Sequence, residues 1–144
     1  MISADASFLV SAFVGDQNGV TAWRWWRKQS LVPLLVSRMA LFEAENTIWC
    51  GEWDGRWDKA RADQSLAGLQ RARLEGLIER REISNRRIYP AAQRLSLHHV
   101  GPETYGAMDI VHVASAQELG ATHFISFDGA QRRLAKVAGM IVCP

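Results

Sequence analysis

The sequence predicts an α/β fold whose mainly parallel sheet is covered on both faces. Three observations carry that expectation. Short apolar strand signals alternate with helix-capable segments from one end of the chain to the other, the order that builds parallel sheets through crossover helices. The strand signals are apolar runs, as strands buried on both faces require. The 144 residues, 48% of them apolar, suit one domain over residues 1–144 and leave little room for a second.

The elements follow in order. Ile2-Ser3-Ala4 leads into Asp5 as a buried first strand, and residues 6–14 are helix-capable. Gly15-Asp16-Gln17-Asn18-Gly19 is turn chemistry. Residues 20–29 read as a second helix with Trp23 and Trp26 on one face. Residues 33–37, a short apolar run after Pro33, form a buried strand. Ser37 is placed to cap a helix from Met39 to Trp49 or Glu52. Residues 56–81 read as one long helical stretch, with Leu66, Leu69, Leu74, Leu77 and Ile78 as its apolar stripe. A weak strand is expected over 83–89, and Pro90 opens a helix to about His98. Gly101-Pro102 is a break, 103–119 is helical, and Gly120 stops it. Residues 123–127 form a strand ending at Asp128, 131–137 a short helix and 140–143 a last strand. No internal repeat, low-complexity tract or linker interrupts this order.

Composition excludes several classes. The longest apolar run, residues 31–36, is far too short to span a bilayer. The first residues lack a basic n-region and apolar h-region, which disfavours secretion. Cys50 and Cys143 make neither a disulfide framework nor a four-ligand zinc site, so a reducing cytoplasm is the expected compartment. The net charge of +2 conceals an asymmetry. Residues 56–94 hold ten basic and five acidic groups, and the rest of the chain is acid-rich. A basic segment of this kind fits a polyanion through Arg forks, although an Arg-rich helix face is equally often only solvated.

Four carboxylates stand out. Asp5 and Asp128 directly follow strand signals, where the carboxyl ends of parallel strands form ligand crevices. Glu43 sits early in the helix after residues 33–37, flanked by Leu41, Phe42 and Ala44. Asp109 is the lone acid of an almost uncharged helix, with His112 one turn later. Taken singly, Asp5 and Asp128 fit helix caps or turns, Glu43 a helix surface, and Asp109 an ordinary ion pair. Together they describe one sheet edge. Two unit charges about 4 Å apart repel by roughly 4 kcal/mol at an effective dielectric near 20. Cations therefore neutralise such a cluster or its pKa values rise. An all-oxygen set favours Mg²⁺ or Mn²⁺ over zinc, and such an ion supports phosphodiester chemistry.

The motifs resemble those of PIN domains, most closely the VapC-type ribonuclease toxins of bacterial toxin–antitoxin pairs. Ile2-Ser3-Ala4-Asp5-Ala6-Ser7 is similar to the family's opening strand, acid and hydroxyl. Leu41-Phe42-Glu43-Ala44-Glu45-Asn46 is similar to its helix acid, and Met108-Asp109-Ile110-Val111-His112-Val113-Ala114-Ser115-Ala116 is the most specific stretch. Phe124-Ile125-Ser126-Phe127-Asp128 completes the set, with Ser126 where Thr is more usual. The resemblance spans nearly the whole chain. It implies a three-layer α/β/α PIN-like fold and Mg²⁺- or Mn²⁺-dependent endonucleolytic cleavage of RNA. It also implies structured RNA such as tRNA as substrate, a cognate antitoxin and a homodimer. By the same resemblance Asp5, Glu43, Asp109 and Asp128 hold metal and position the attacking water, Ser7 and Ser126 orient carboxylates, and His112 packs its helix. A non-catalytic RNA-binding relative is the alternative, weakened by the presence of all four acids. An aspartyl-phosphate enzyme fits less well: Ser7 stands where a second Asp is wanted, and Lys136 is a poor receiver lysine. A DNA-directed nuclease of similar fold stays open as an alternative, but this chain lacks the insertions expected to thread or clamp a DNA flap.

Trp49, Trp53 and Trp57 fall four apart and would align on one continuous helix. Core packing is the simple account of the six tryptophans. This cluster is also expected to line a dimer or antitoxin surface, where Trp is enriched.

Overall fold

The structure, a computed structural model, describes residues 1–99, 101 and 103–144. Five short strands, β1 (Ile2–Ala4), β2 (Leu34–Ser37), β3 (Ile78–Arg81), β4 (His123–Ile125) and β5 (Ile141–Cys143), form one sheet in the order β3-β2-β1-β4-β5. Every pairing is parallel, with Ser3 beside Leu35 and Phe124 in the central register. Parallel neighbours need crossovers. Among the described residues seven helices supply them: α1 (Ala6–Val14), α2 (Gly19–Lys28), α3 (Arg38–Trp53), α4 (Lys59–Leu74), α5 (Asn85–His99), α6 (Ala107–Glu118) and α7 (Gly129–Val137).

Successive strand residues point to opposite faces, and β4 shows the consequence. Ile125 joins a core with Phe8, Trp26, Leu41, Ile48 and Leu69 from α1–α4. Phe124 joins the opposite core with Leu95, Val113 and Leu134 from α5–α7. The sheet is thus the middle of three α/β/α layers, as the alternating pattern predicts. From β1 the chain steps outward through β2 to β3, then returns to β4 on the other side of β1. The order reverses between β1 and β4, and the crevice beyond their carboxyl ends is where such sheets bind ligands.

Three expectations need correction. Residues 56–81 are not one helix. Asp58 caps α4 through Arg61 N (2.8 Å), α4 stops at Leu74, and Gly76 takes a left-handed turn (φ 74°) into edge strand β3. Only Ile78 of β3 is buried, so its Glu-Arg-Arg remainder carries a charged surface signal that suits an edge and masks a strand. The weak strand expected over 83–89 is absent: Ser84 leads into α5, and Pro90 lies inside that helix rather than opening it. The helix expected from 103 begins only at Ala107, with Gly106 as N-cap. Pro102, read as part of a break, lies outside the described residues.

The tryptophans divide. Trp26 is fully buried, donates to Val32 O at 2.9 Å and stacks on Trp23. Trp57 leaves the expected stripe because α3 ends at Trp53. Its indole folds back over Gly51 and donates to Ile48 O at 2.9 Å. Trp49 and Trp53 remain 50% and 91% exposed, so core packing accounts for neither.

Candidate active site

Asp5 ends β1 and caps α1. Its Oδ1 accepts from Phe8 N at 3.0 Å, which satisfies a free helix donor. Ser7 Oγ lies 2.9 Å from both carboxylate oxygens, and Ser126 Oγ donates to Oδ2 at 2.8 Å. Each serine also accepts a backbone N–H, Ser7 from Phe127 (2.8 Å) and Ser126 from Asp128 (2.9 Å). The two hydroxyls therefore fasten the end of β4 to Asp5. The residue is 1% exposed. Burial raises its pKa above the ordinary carboxylate value, against the lowering effect of the Phe8, Ser126 and Ser7 hydrogen bonds and of His112.

Asp128 caps α7 through Gln131 N at 2.8 Å. Glu43 projects from α3, and its Oε2 lies 2.7 Å from Nε2 of buried His112 on α6. The two atoms are buried, and neither has a further partner among the described residues. The His112 imidazole, by hydrogen bonding and charge, holds the Glu43 carboxyl below its ordinary value against the opposing effect of burial. Asp109 lies one turn before His112, where its Oδ2 accepts from Gly106 N at 3.1 Å.

Asp5, Glu43 and Asp128 line one open cleft of about 350 Å³. Asp109 is not among its lining residues; it stands at the start of the helix that supplies His112. The cleft also includes Asp16 and Arg56, which the sequence did not mark. Asp16 reads as a turn residue and is one, accepting from Asn18 N (2.8 Å) and Ser11 Oγ (3.0 Å). Arg56 reads as one basic residue among ten. Its guanidinium lies over the Trp57 indole at 4.8 Å and faces Asp54 at 3.5 Å. No local signal places either residue at the cleft.

The donor set of Asp5, Glu43 and Asp128 in the cleft is all oxygen, so its chemistry fits a hard divalent cation. Among the described residues, no three His, Cys, Asp or Glu side chains stand close enough together to hold an ion in this arrangement.

The PIN domain family model matches residues 2–137. The chain belongs to the PIN domain family. Among solved structures, this PIN domain is similar to the toxin VapC20 of Mycobacterium tuberculosis, named as cleaving the sarcin–ricin loop. The identity is 22%, with 98% of this chain and 97% of that one covered and a TM-score of 0.69. It is also similar to PAE2754 of Pyrobaculum aerophilum, at 18% identity, with 98% and 87% covered and a TM-score of 0.64. Comparison with curated proteins returns no match. No helix among the described residues of this PIN domain is long and apolar enough to cross a membrane.

The basic segment is only partly free to meet a polyanion. Arg61 caps α1 by donating to Val14 O and Gly15 O at 2.8 and 2.7 Å. Arg87 pairs with Glu118 at 2.8 Å, and Arg80 and Arg81 pair with neighbouring acids. Arg56 is the member that reaches the carboxylate cleft.

Proposed function

We propose that this PIN domain is a divalent-metal-dependent endoribonuclease, the toxin of a toxin–antitoxin pair. The observation that carries the reading is the convergence of Asp5, Glu43 and Asp128 on one cleft at the reversal of strand order. A buried Asp5 is costly to the fold and is explained by a cationic partner. In this reading Asp5, Glu43, Asp109 and Asp128 hold Mg²⁺ or Mn²⁺. When bound, the ion lowers the pKa of a water and offsets charge developing on the phosphodiester. Ser7 and Ser126 fix the Asp5 carboxylate, His112 keeps Glu43 ionised, and Arg56 on its Trp57 platform meets a phosphate. Likeness to VapC20 supports RNA as substrate and an antitoxin as partner. The family resemblance extends this to structured RNA such as tRNA, a homodimer, a cytoplasmic setting and a single nuclease domain over the chain.

The test is cleavage of structured RNA by purified protein with Mn²⁺ or Mg²⁺, wild type beside Asp5→Asn. Cleavage by wild type alone, abolished by EDTA, supports the reading; equal cleavage by both overturns it. The absence of a pre-assembled ion site among the described residues favours a second reading, an RNA-binding protein without catalysis. That reading requires metal-independent RNA binding and no cleavage by either protein.

A further inference from the structure

A second cavity, about 660 Å³, opens beside the carboxylate cleft. Its walls come from the start of α3, the loop after β3, the first turns of α5 and one face of α6. Arg38, Phe42, Arg81, Arg86, Tyr89 and Ser115 are among its lining residues. The volume falls within the roughly 300–1,000 Å³ of small-molecule sites. Helix α3 contributes to both hollows: Phe42 lines the larger one and Glu43, the next residue, lines the carboxylate cleft.

Three features describe what fits. First, Arg38, Arg81 and Arg86 outnumber the lining's one acid, Glu82. Arg81 pairs with Glu79 at 2.6 Å, while no ion pair joins Arg38 or Arg86 to an acid among the described residues. Second, Phe42 and Tyr89 are both 57% exposed, so aromatic faces stand open at the mouth. Third, Ser115 is only 2% exposed, and its Oγ has no hydrogen-bond partner among the described residues. A buried hydroxyl left unpaired costs stability unless something satisfies it, and Ser Oγ can both donate and accept. Arginines, exposed aromatic faces and a buried unpaired hydroxyl in one lining match a phosphate, a ring and a base edge.

We propose that this cavity binds one unpaired nucleotide of the RNA substrate. The base stacks on Tyr89 or Phe42 and presents an edge to Ser115, and Arg38 and Arg86 hold the adjoining phosphates. Because α3 walls both the cavity and the cleft, the nucleotide captured in one sets which phosphodiester reaches Asp5 in the other. The site therefore selects single-stranded or bulged segments, where RNA bases are free to leave the stack. This inference rests on the RNA substrate proposed above.

The test uses the intact protein and fluorescein-labelled RNA 12-mers, a single strand and a blunt duplex, bound in EDTA so that affinity is read without cleavage. The single strand is expected to bind at least about tenfold more tightly than the duplex, and Tyr89→Ala to remove about tenfold of that affinity. Ser115→Ala, which deletes only the hydroxyl, is expected to change the ranking of homopolymeric U, C and A strands by about threefold or more, with an unchanged thermal melt. Equal single-strand affinity and ranking in all three proteins overturns the proposal. Unchanged RNA binding with Tyr89→Ala, together with a drop in mass by light scattering, also overturns it and makes the cavity an interface between copies of this chain. The same proteins assayed with Mn²⁺ separate the two ideas. No cleavage by wild type, with weakened single-strand binding by Tyr89→Ala, sinks the nuclease reading and leaves the nucleotide site standing. Normal cleavage with RNA binding indifferent to both substitutions does the reverse.

Discussion

At Asp5, stability and chemistry oppose one another. Burial raises its folded-state pKa above the unfolded value. The folded state therefore binds that proton more tightly; the contribution is present below the unfolded pKa and is lost as pH rises through the folded one. Above that folded-state value the ionised group subtracts stability. Asp5→Asn, which cannot ionise, should then lose less of its melting temperature than wild type as pH rises. It should also lose about a hundredfold or more in cleavage, the scale of losing one preorganised electrostatic group. Thermal melts and initial rates on one preparation check both. Glu43 has the opposite sign: held low by His112, it adds stability above its unfolded pKa and loses it as pH falls through the folded one. Arg56 makes a separate prediction. Arg56→Ala should flatten the slope of log affinity for RNA against log salt by about one, with the melt unchanged. An unaltered slope would mean that Arg56 touches no phosphate.

Among the elements, the end of α3 shows how a backbone position serves the site. Gly51 has no Cβ, and one built there would overlap the Trp57 indole. The glycine lets Trp57 lie against α3, and Trp57 carries Arg56. Gly51→Ala is expected to destabilise the fold by about 1–3 kcal/mol, as overpacking does, and to weaken RNA binding as Arg56→Ala does. Denaturant unfolding and the RNA titration check the two effects. This loop also marks where sequence reading ran out. Asp5, Glu43 and Asp128 were legible because an acid beside an apolar run contradicts its surroundings. β3 was not, since three of its four residues are solvent-facing charges that fit a helix surface equally well. Asp16 and Arg56 carry ordinary turn and surface signals, and only the packing of α1 against α3 and α4 brings them to the cleft. The long-helix error at 56–81 has the same origin: the apolar stripe is real, but Gly76 and the Asp58 cap divide it.

For the molecule as a whole, ion binding and folding should be linked. A ligand that binds only the folded state adds roughly 2.7 kcal/mol at about a hundred times its Kd. Mn²⁺ should therefore raise the melting temperature of wild type, EDTA should return it, and Asp5→Asn should show no shift. A metal-induced rise that survives Asp5→Asn would place the ion elsewhere. The global architecture was the most legible level. Alternating strand and helix signals specify a sheet covered on both faces, and β1, β2, β4 and β5 fall within the segments expected of them. Strand order was not legible, because no local pattern records which neighbour each strand takes.

The union of β1 with β4 bears on synthesis. Ser126 reaches Asp5 across 121 positions of sequence, so the carboxylate is not fastened until the last quarter of the chain has been made and docked. Contacts this distant form late, after local helices. A ribosome-bound chain that has exposed α1 to α4 already contains Asp5 and Glu43 but not the hydroxyl of Ser126 or the cap at Asp128. On the proposed function, competence to cleave thus arrives only when β4 has docked beside β1, and a copy truncated before Ser126 should be inert towards the RNA of the machinery producing it.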